Sequence, residues 1–303
     1  MTIAPATIAV AVLDSGVDAS HPAFGKAVKV TGDQPADTGS SSHCWHGTAV
    51  AGIVAARFNA APHSASTPQV LIRSYRITDQ HGRIEDSRIV AAMQDAMANS
   101  VRVVNISASW SERNALLREA MLLAKPGAVT ALGALVVVTS PGYLVHNGDQ
   151  YPGVYADEDE FDFLVAVAGF SRERLLSEPG EQSIRRSPLD AKIPWDSERP
   201  DNGYAPRMLA APGEDVSTAL PGNRYGTVRG DSFAAPFVSG LAAAALLQPM
   251  YRALSAGKLR TLLFDHSCDA PAALKNLAGG AGIHCIASAR FIESLNCPAV
   301  ESR

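Results

Sequence analysis

The sequence predicts an α/β fold: a doubly wound, mostly parallel β-sheet flanked by helices on both faces. Two observations carry this expectation. Short apolar runs alternate with helical patterns along the chain, the mark of a parallel sheet covered by helices. Each run is also rich in β-branched residues and bounded by Gly, Pro, Asp or Ser, as buried strands are. The runs are Ile8 to Leu13, Val70 to Tyr75, Val101 to Ile106, Leu135 to Thr139 and Phe163 to Ala168.

The intervening helices follow from their spacing. Asp86-Ser87 can cap a helix that places Ile89, Met93 and Met97 at four-residue steps, with Ala92 and Ala96 widening the stripe. Its methionines read as core filling. A second helix is predicted from about Ser111 to Lys125, ended by Pro126-Gly127. A third opens near His46 and continues through Val50, Ile53 and Val54. A fourth opens at or just after Ser232 and runs through Val238, Leu241, Ala245 and Leu246. That last segment has few polar groups and many Gly and Ala, so it belongs in the centre of the molecule. Pro236 fits there as a first-turn residue, where no amide donor is needed. From Glu178 to Asn202 four prolines alternate with charged residues and periodicity is lost. This stretch is expected to be a long surface loop within a single domain, residues 1–303, because the elements on its two sides need each other to complete one core.

Composition bounds the function. A chain of 303 residues, 47% hydrophobic and 18% charged, can bury a large core as a soluble globular protein. A formal net charge of -4 gives no reason to propose nucleic acid or an anionic membrane as partner, and Arg185-Arg186 is too short for a phosphate-binding stripe. No segment has the apolar length of a membrane span. Met1 to Thr7 lacks the features of a secretory signal, which leaves a cytoplasmic protein and a trimmed mature secreted form both open. Nothing in the sequence sets the oligomeric state. The four cysteines show no zinc spacing; Cys268 and Cys285 would close a loop of plausible length for a disulfide in an oxidising compartment, and reduced thiols are the favoured reading.

Three separated segments carry chemistry. Asp14-Ser15-Gly16-Val17 directly follows the first apolar strand, so its carboxylate sits where ligands bind parallel sheets. A simple Asp-Gly turn is the plain alternative. His46-Gly47-Thr48-Ala49 opens a helix, with small flanking residues that let the backbone pass close to neighbours. Gly230-Asp231-Ser232-Phe233-Ala234-Ala235-Pro236 places a hydroxyl at the start of the buried helix. The amides there favour negative charge, so the Ser232 backbone N–H can hold an oxyanion.

These segments resemble the Asp, His and Ser motifs of the subtilisin-like serine peptidases, for which that chain order is known. The first motif continues similarly through His21-Pro22, Val103-Val104-Asn105-Ile106-Ser107 resembles the strand that binds the substrate backbone, and Ala211-Pro212-Gly213 resembles the loop before the serine segment. The resemblance runs from about Ile8 to Arg290. It implies peptide hydrolysis by acyl transfer, with Ser232 as nucleophile, His46 as general base and Asp14 as the group that orients it. It implies an extended polypeptide substrate laid beside Ser107, Ala108 and Ser109. No cofactor is needed for that chemistry. Structural calcium is common in the family, but no site can be assigned residue by residue.

The chain also departs from the family. Asp231 stands where a Thr is usual; the expectation is that its carboxylate points away and caps the helix or bonds locally, so that Asp231→Thr leaves peptidase activity intact or raises it. The side-chain oxyanion donor is displaced: Tyr143 holds the simply aligned position, and Asn147, four residues on, is the preferred candidate. Ser109 and Trp110 replace glycines, which either narrows the cleft or leaves Trp110 packed at the surface. Asp157 to Glu160 reads as a solvated acidic loop. Three other readings compete: a non-catalytic subtilase-fold binding or scaffold protein, a nucleotide-binding protein, and a Cys44–His46 nucleophile pair. The second lacks a Gly-rich loop after the first strand, and the third leaves the Ser232 motif without a role.

Overall fold

The computed structural model describes residues 7–26, 28–35, 45–59, 70–139, 151–170, 208–269 and 283–285. Nine strands form one sheet in the order β10-β11-β7-β6-β5-β4-β1-β3-β2, where β1 is Ile8–Asp14, β2 Val28–Gly32, β3 Val70–Arg76, β4 Val103–Ile106, β5 Leu135–Thr139, β6 Leu164–Phe170, β7 Met208–Pro212, β10 Cys268–Asp269 and β11 Ile283–Cys285. Every pairing is parallel except β10 with β11. A separate antiparallel hairpin joins β8, Val216–Leu220, to β9, Arg224–Val228. The expected doubly wound α/β sheet is what the chain forms.

The central strands are apolar on both sides because both faces are covered. In β1, Val10 and Val12 enter one core while Ala11 and Leu13 enter the other; β5 divides in the same way, Leu135 and Val137 against Val136 and Val138. This alternation is the two-residue period of a pleated strand. The first core is closed by α1, His46–Asn59, and α4, Asp231–Leu247; the second is closed by α2, Asp86–Ala98, and α3, Ala115–Leu122. A fifth helix, α5, Ala256–Asp265, adds Leu259 and Leu263 to the first core. In α2 the methionines are core residues, Met93 at 0% and Met97 at 1% exposure.

Several elements differ from expectation for local reasons. α3 begins at Ala115, not near Ser111, because Asn114 accepts the amides of Leu116 and Leu117 at 3.0 and 3.2 Å and so caps the helix there. The acidic stretch Asp157 to Glu160 is not simply solvated: Glu158 and Glu160 accept from Arg118 at 2.9 and 2.5 Å, and that guanidinium lies 5.1 Å from the Phe161 ring centre. Pro236 lies at the sixth residue of α4, beyond the first turn. Cys268 and Cys285 are Cα partners in the β10–β11 pair. The loop 178–202 and Cys44 lie outside the described residues. No described helix is long and apolar enough to cross a membrane.

Candidate active site

The carboxyl ends of the central strands gather the three predicted segments. Asp14 is the last residue of β1 and 5% exposed. The chain then turns through Gly16 at φ +91°, where an added Cβ would lie 2.3 Å from the Gln34 carbonyl oxygen; only glycine allows that path. The turn brings Ser15 to the start of α1, and its hydroxyl accepts the Gly47 amide at 2.9 Å. One of the orphan donors of the helix start is thereby satisfied. Gly47 passes so close to the Asp14 turn that a Cβ would meet Gly16 O at 2.4 Å and the Asp14 Oδ1 at 3.2 Å. The two motifs are thus locked together by backbone contact.

This packing sets the His46 ring against Asp14. Nδ1 lies 2.9 Å from Oδ1 and 3.0 Å from Oδ2. An ionised carboxylate only accepts, so Nδ1 carries the proton and donates it, which leaves the Nε2 lone pair as acceptor in the neutral ring. The imidazole side chain is 25% exposed. Burial disfavours its charge, but the Asp14 charge and hydrogen bond outweigh that, and its pKa is raised above the ordinary imidazole value. Asp14 therefore holds the tautomer and stabilises the protonated ring.

Ser232 is the second residue of α4 and half-buried. The following side chain, Phe233, lies 5.0 Å from the His46 ring centre and stacks with Trp45 at 6.0 Å, so the starts of α1 and α4 abut. The Ser232 hydroxyl makes a long hydrogen bond to the Ser107 carbonyl oxygen, 3.4 Å, at the end of β4. Among the described residues no hydrogen bond joins the Ser232 hydroxyl to His46.

Asp231 also reaches across the fold: its Oδ1 accepts the backbone N–H of Gly169 on β6 at 2.8 Å, a partner 62 residues away. Gly230, at φ +134°, Gly213 and Gly169 let the backbones meet here: a Cβ on Gly213 would lie 2.6 Å from the Gly169 Cα. The tie crosses from strand to helix, and no local sequence pattern announces it.

The proposed substrate segment is graded in exposure: Ser107 is buried, Ala108 half-buried and Ser109 exposed. Trp110 does not stand free in the cleft. It exchanges backbone hydrogen bonds with Tyr151 at 2.9 and 2.8 Å and packs against the second core. Asn147 and Tyr143, the candidate oxyanion donors, lie outside the described residues. Two polar residues without a prior role also belong to the site: Asn105 and Ser239, both fully buried. Their signal in the sequence is polarity within otherwise apolar elements, and Asn105 also lies in the segment Val103 to Ser107 that resembles the family's substrate strand. Among the described residues no three His, Cys, Asp or Glu side chains form a metal-binding group.

The geometry sets an Asp14–His46 pair beside the start of α4, and comparison with known proteins gives the class. The Subtilase family model matches residues 6–282. Subtilisin DY of Bacillus licheniformis is 28% identical over 265 residues, 85% of this chain and 82% of that protein. Subtilisin E of Bacillus subtilis (strain 168) is also 28% identical, over 78% of this chain but only 54% of that protein. The solved structure of patellamide maturation protease PatA superposes with a TM-score of 0.64 at 25% identity, covering 96% of this chain and 97% of the other. The chain belongs to the subtilase family, and its relatives indicate a serine endopeptidase.

Proposed function

We propose that this chain hydrolyses peptide bonds through an acyl-enzyme formed on Ser232. The observation that carries the reading is the Asp14–His46 pair, which fixes the tautomer needed for a base beside the start of α4. Ser232 Oγ attacks the scissile carbonyl carbon as its proton passes to His46 Nε2. The resulting imidazolium is stabilised by Asp14, and the tetrahedral oxyanion is held by the Ser232 backbone N–H at the helix start. Collapse expels the amine, which takes the proton from His46. Water then repeats the sequence and releases the acid. Asn147 is proposed as the second oxyanion donor, and removing such a donor costs about 10²–10³ in kcat. Substrate backbone is proposed to lie along Ser107, Ala108 and Ser109. The whole set uses side chains and amides of one catalytic domain and calls on no cofactor.

A fluorophosphonate probe tests the proposal. Wild-type protein is expected to be labelled at Ser232 by mass mapping, and Ser232→Ala to remain unlabelled and to cleave no member of a peptide library. An unlabelled wild type with no cleavage would instead favour the binding or scaffold reading.

A further inference from the structure

Proline at position 236 creates a defect at the residue that matters most. In a regular α-helix the amide of residue 236 donates to the carbonyl of residue 232, and proline has no such hydrogen. The carbonyl so deprived belongs to Ser232. A side chain from another element meets it: Ser107 Oγ donates to Ser232 O at 2.7 Å. The Ser107 hydroxyl is itself held, because Asn105 Nδ2 donates to it at 2.9 Å. Asn105 Oδ1 in turn accepts from Ser239 Oγ at 2.8 Å, and Ser239 stands two turns along the same helix. Asn105 and Ser239 are 0% exposed and Ser107 5%.

The chain of bonds thus leaves α4 at Ser239, crosses β4 through Asn105 and Ser107, and returns to α4 at Ser232. The side chains that make it are buried, where an unmade hydrogen bond is most costly and a complete network is most rigid. We propose that Ser107 is a positioning residue for Ser232: its hydroxyl replaces the helix hydrogen bond that Pro236 cannot make and fixes the backbone from which the nucleophile and its oxyanion-binding amide project. Ser107 acts through Ser232, so its side chain serves the chemical step rather than a substrate subsite. The inference rests on Ser232 being the nucleophile.

The test uses the full chain and a fluorophosphonate, with labelling at Ser232 resolved into the affinity constant KI and the inactivation rate constant. Each variant is checked for folding by circular dichroism. Ser107→Ala is expected to lower the inactivation rate constant about tenfold or more, the effect of one buried hydrogen bond, with KI little changed. The pair Ser107→Ala with Pro236→Ala should recover much of the loss, because alanine in place of the proline restores an amide for the Ser232 carbonyl. That rescue has no counterpart if Ser107 merely fills space. An unchanged rate constant in Ser107→Ala, a change confined to KI, or no rescue in the pair would each overturn the proposal. If Ser107→Ala does not fold, the pair decides: a folded, labelled pair supports the proposal and an unfolded one overturns it. A wild type that is not labelled would sink the peptidase reading itself.

Discussion

Gly47→Ala is the substitution that most directly tests how the base and its carboxylate are held. The added Cβ would lie 2.4 Å from the Gly16 carbonyl oxygen and 3.2 Å from both Cβ and Oδ1 of Asp14. The first distance is about 1 Å short of ordinary contact, and its partner is backbone, which cannot rotate away. Relief requires the start of α1 to move off the Asp14 turn, and His46 moves with it. Overpacking of this kind costs typically about 1–3 kcal/mol. Misplacement of a catalytic group by about 1 Å can cost roughly 10² in rate. Gly52→Ala supplies the control: its Cβ would meet Thr218 Oγ1 at 2.6 Å and Ala219 Cβ at 3.0 Å, overpacking the same helix against β8 instead of Asp14. Urea unfolding reads stability, and fluorophosphonate labelling of the folded protein reads the site. Both variants should lose stability, and Gly47→Ala alone should lose labelling rate by about two orders of magnitude. Equal labelling rates in the two variants, or a Gly47→Ala protein with wild-type rate and midpoint, would refute the reasoning.

Further outcomes follow from the site. The raised pKa of His46 sets the acid limb of kcat/KM above the ordinary imidazole value, since the base must be neutral and activity falls as pH drops through its pKa. Asp14→Asn removes the charge that raises it and leaves the burial that lowers it. The limb should shift to lower pH while kcat falls by about 10⁴, measured as pH–rate profiles of both proteins. Asp231→Ala should destabilise the protein by removing the acceptor for the Gly169 amide, and Asp231→Asn, which keeps an oxygen at that position, should recover most of the loss in urea midpoint. Asp231→Thr, with its oxygen one bond closer to the backbone, should recover less.

Much of the architecture is legible along the chain, and the reason is periodicity. The five predicted strands Ile8 to Leu13, Val70 to Tyr75, Val101 to Ile106, Leu135 to Thr139 and Phe163 to Ala168 all fall on observed strands. Strands β1, β4 and β5 are buried nearly throughout, so their apolarity is continuous and visible, whereas β3 alternates buried with half-buried residues. Strand β2 escapes such a reading: Val-Lys-Val-Thr-Gly sits at the sheet edge, half-exposed, with a mixed composition. The hairpin β8–β9 escapes it too, since it lies outside the main sheet and carries polar residues along β9. In α3 the strong cap at Asn114 overrides the longer apolar pattern.

At the site the sequence alone determined which residue types stand at strand ends and helix starts: a carboxylate after β1, an imidazole opening α1 and a hydroxyl opening α4. Those positions follow from local rules, because a turn or helix terminus is written in a few consecutive residues. Contacts between distant segments obey no such rule and were decided by the tertiary structure. Only folding reveals that Asp231 grips Gly169, that Trp110 pairs with Tyr151, and that Ser107 meets the carbonyl Pro236 leaves without a helix donor. Each of these bonds joins elements brought together by sheet order, and no sequence period encodes that order.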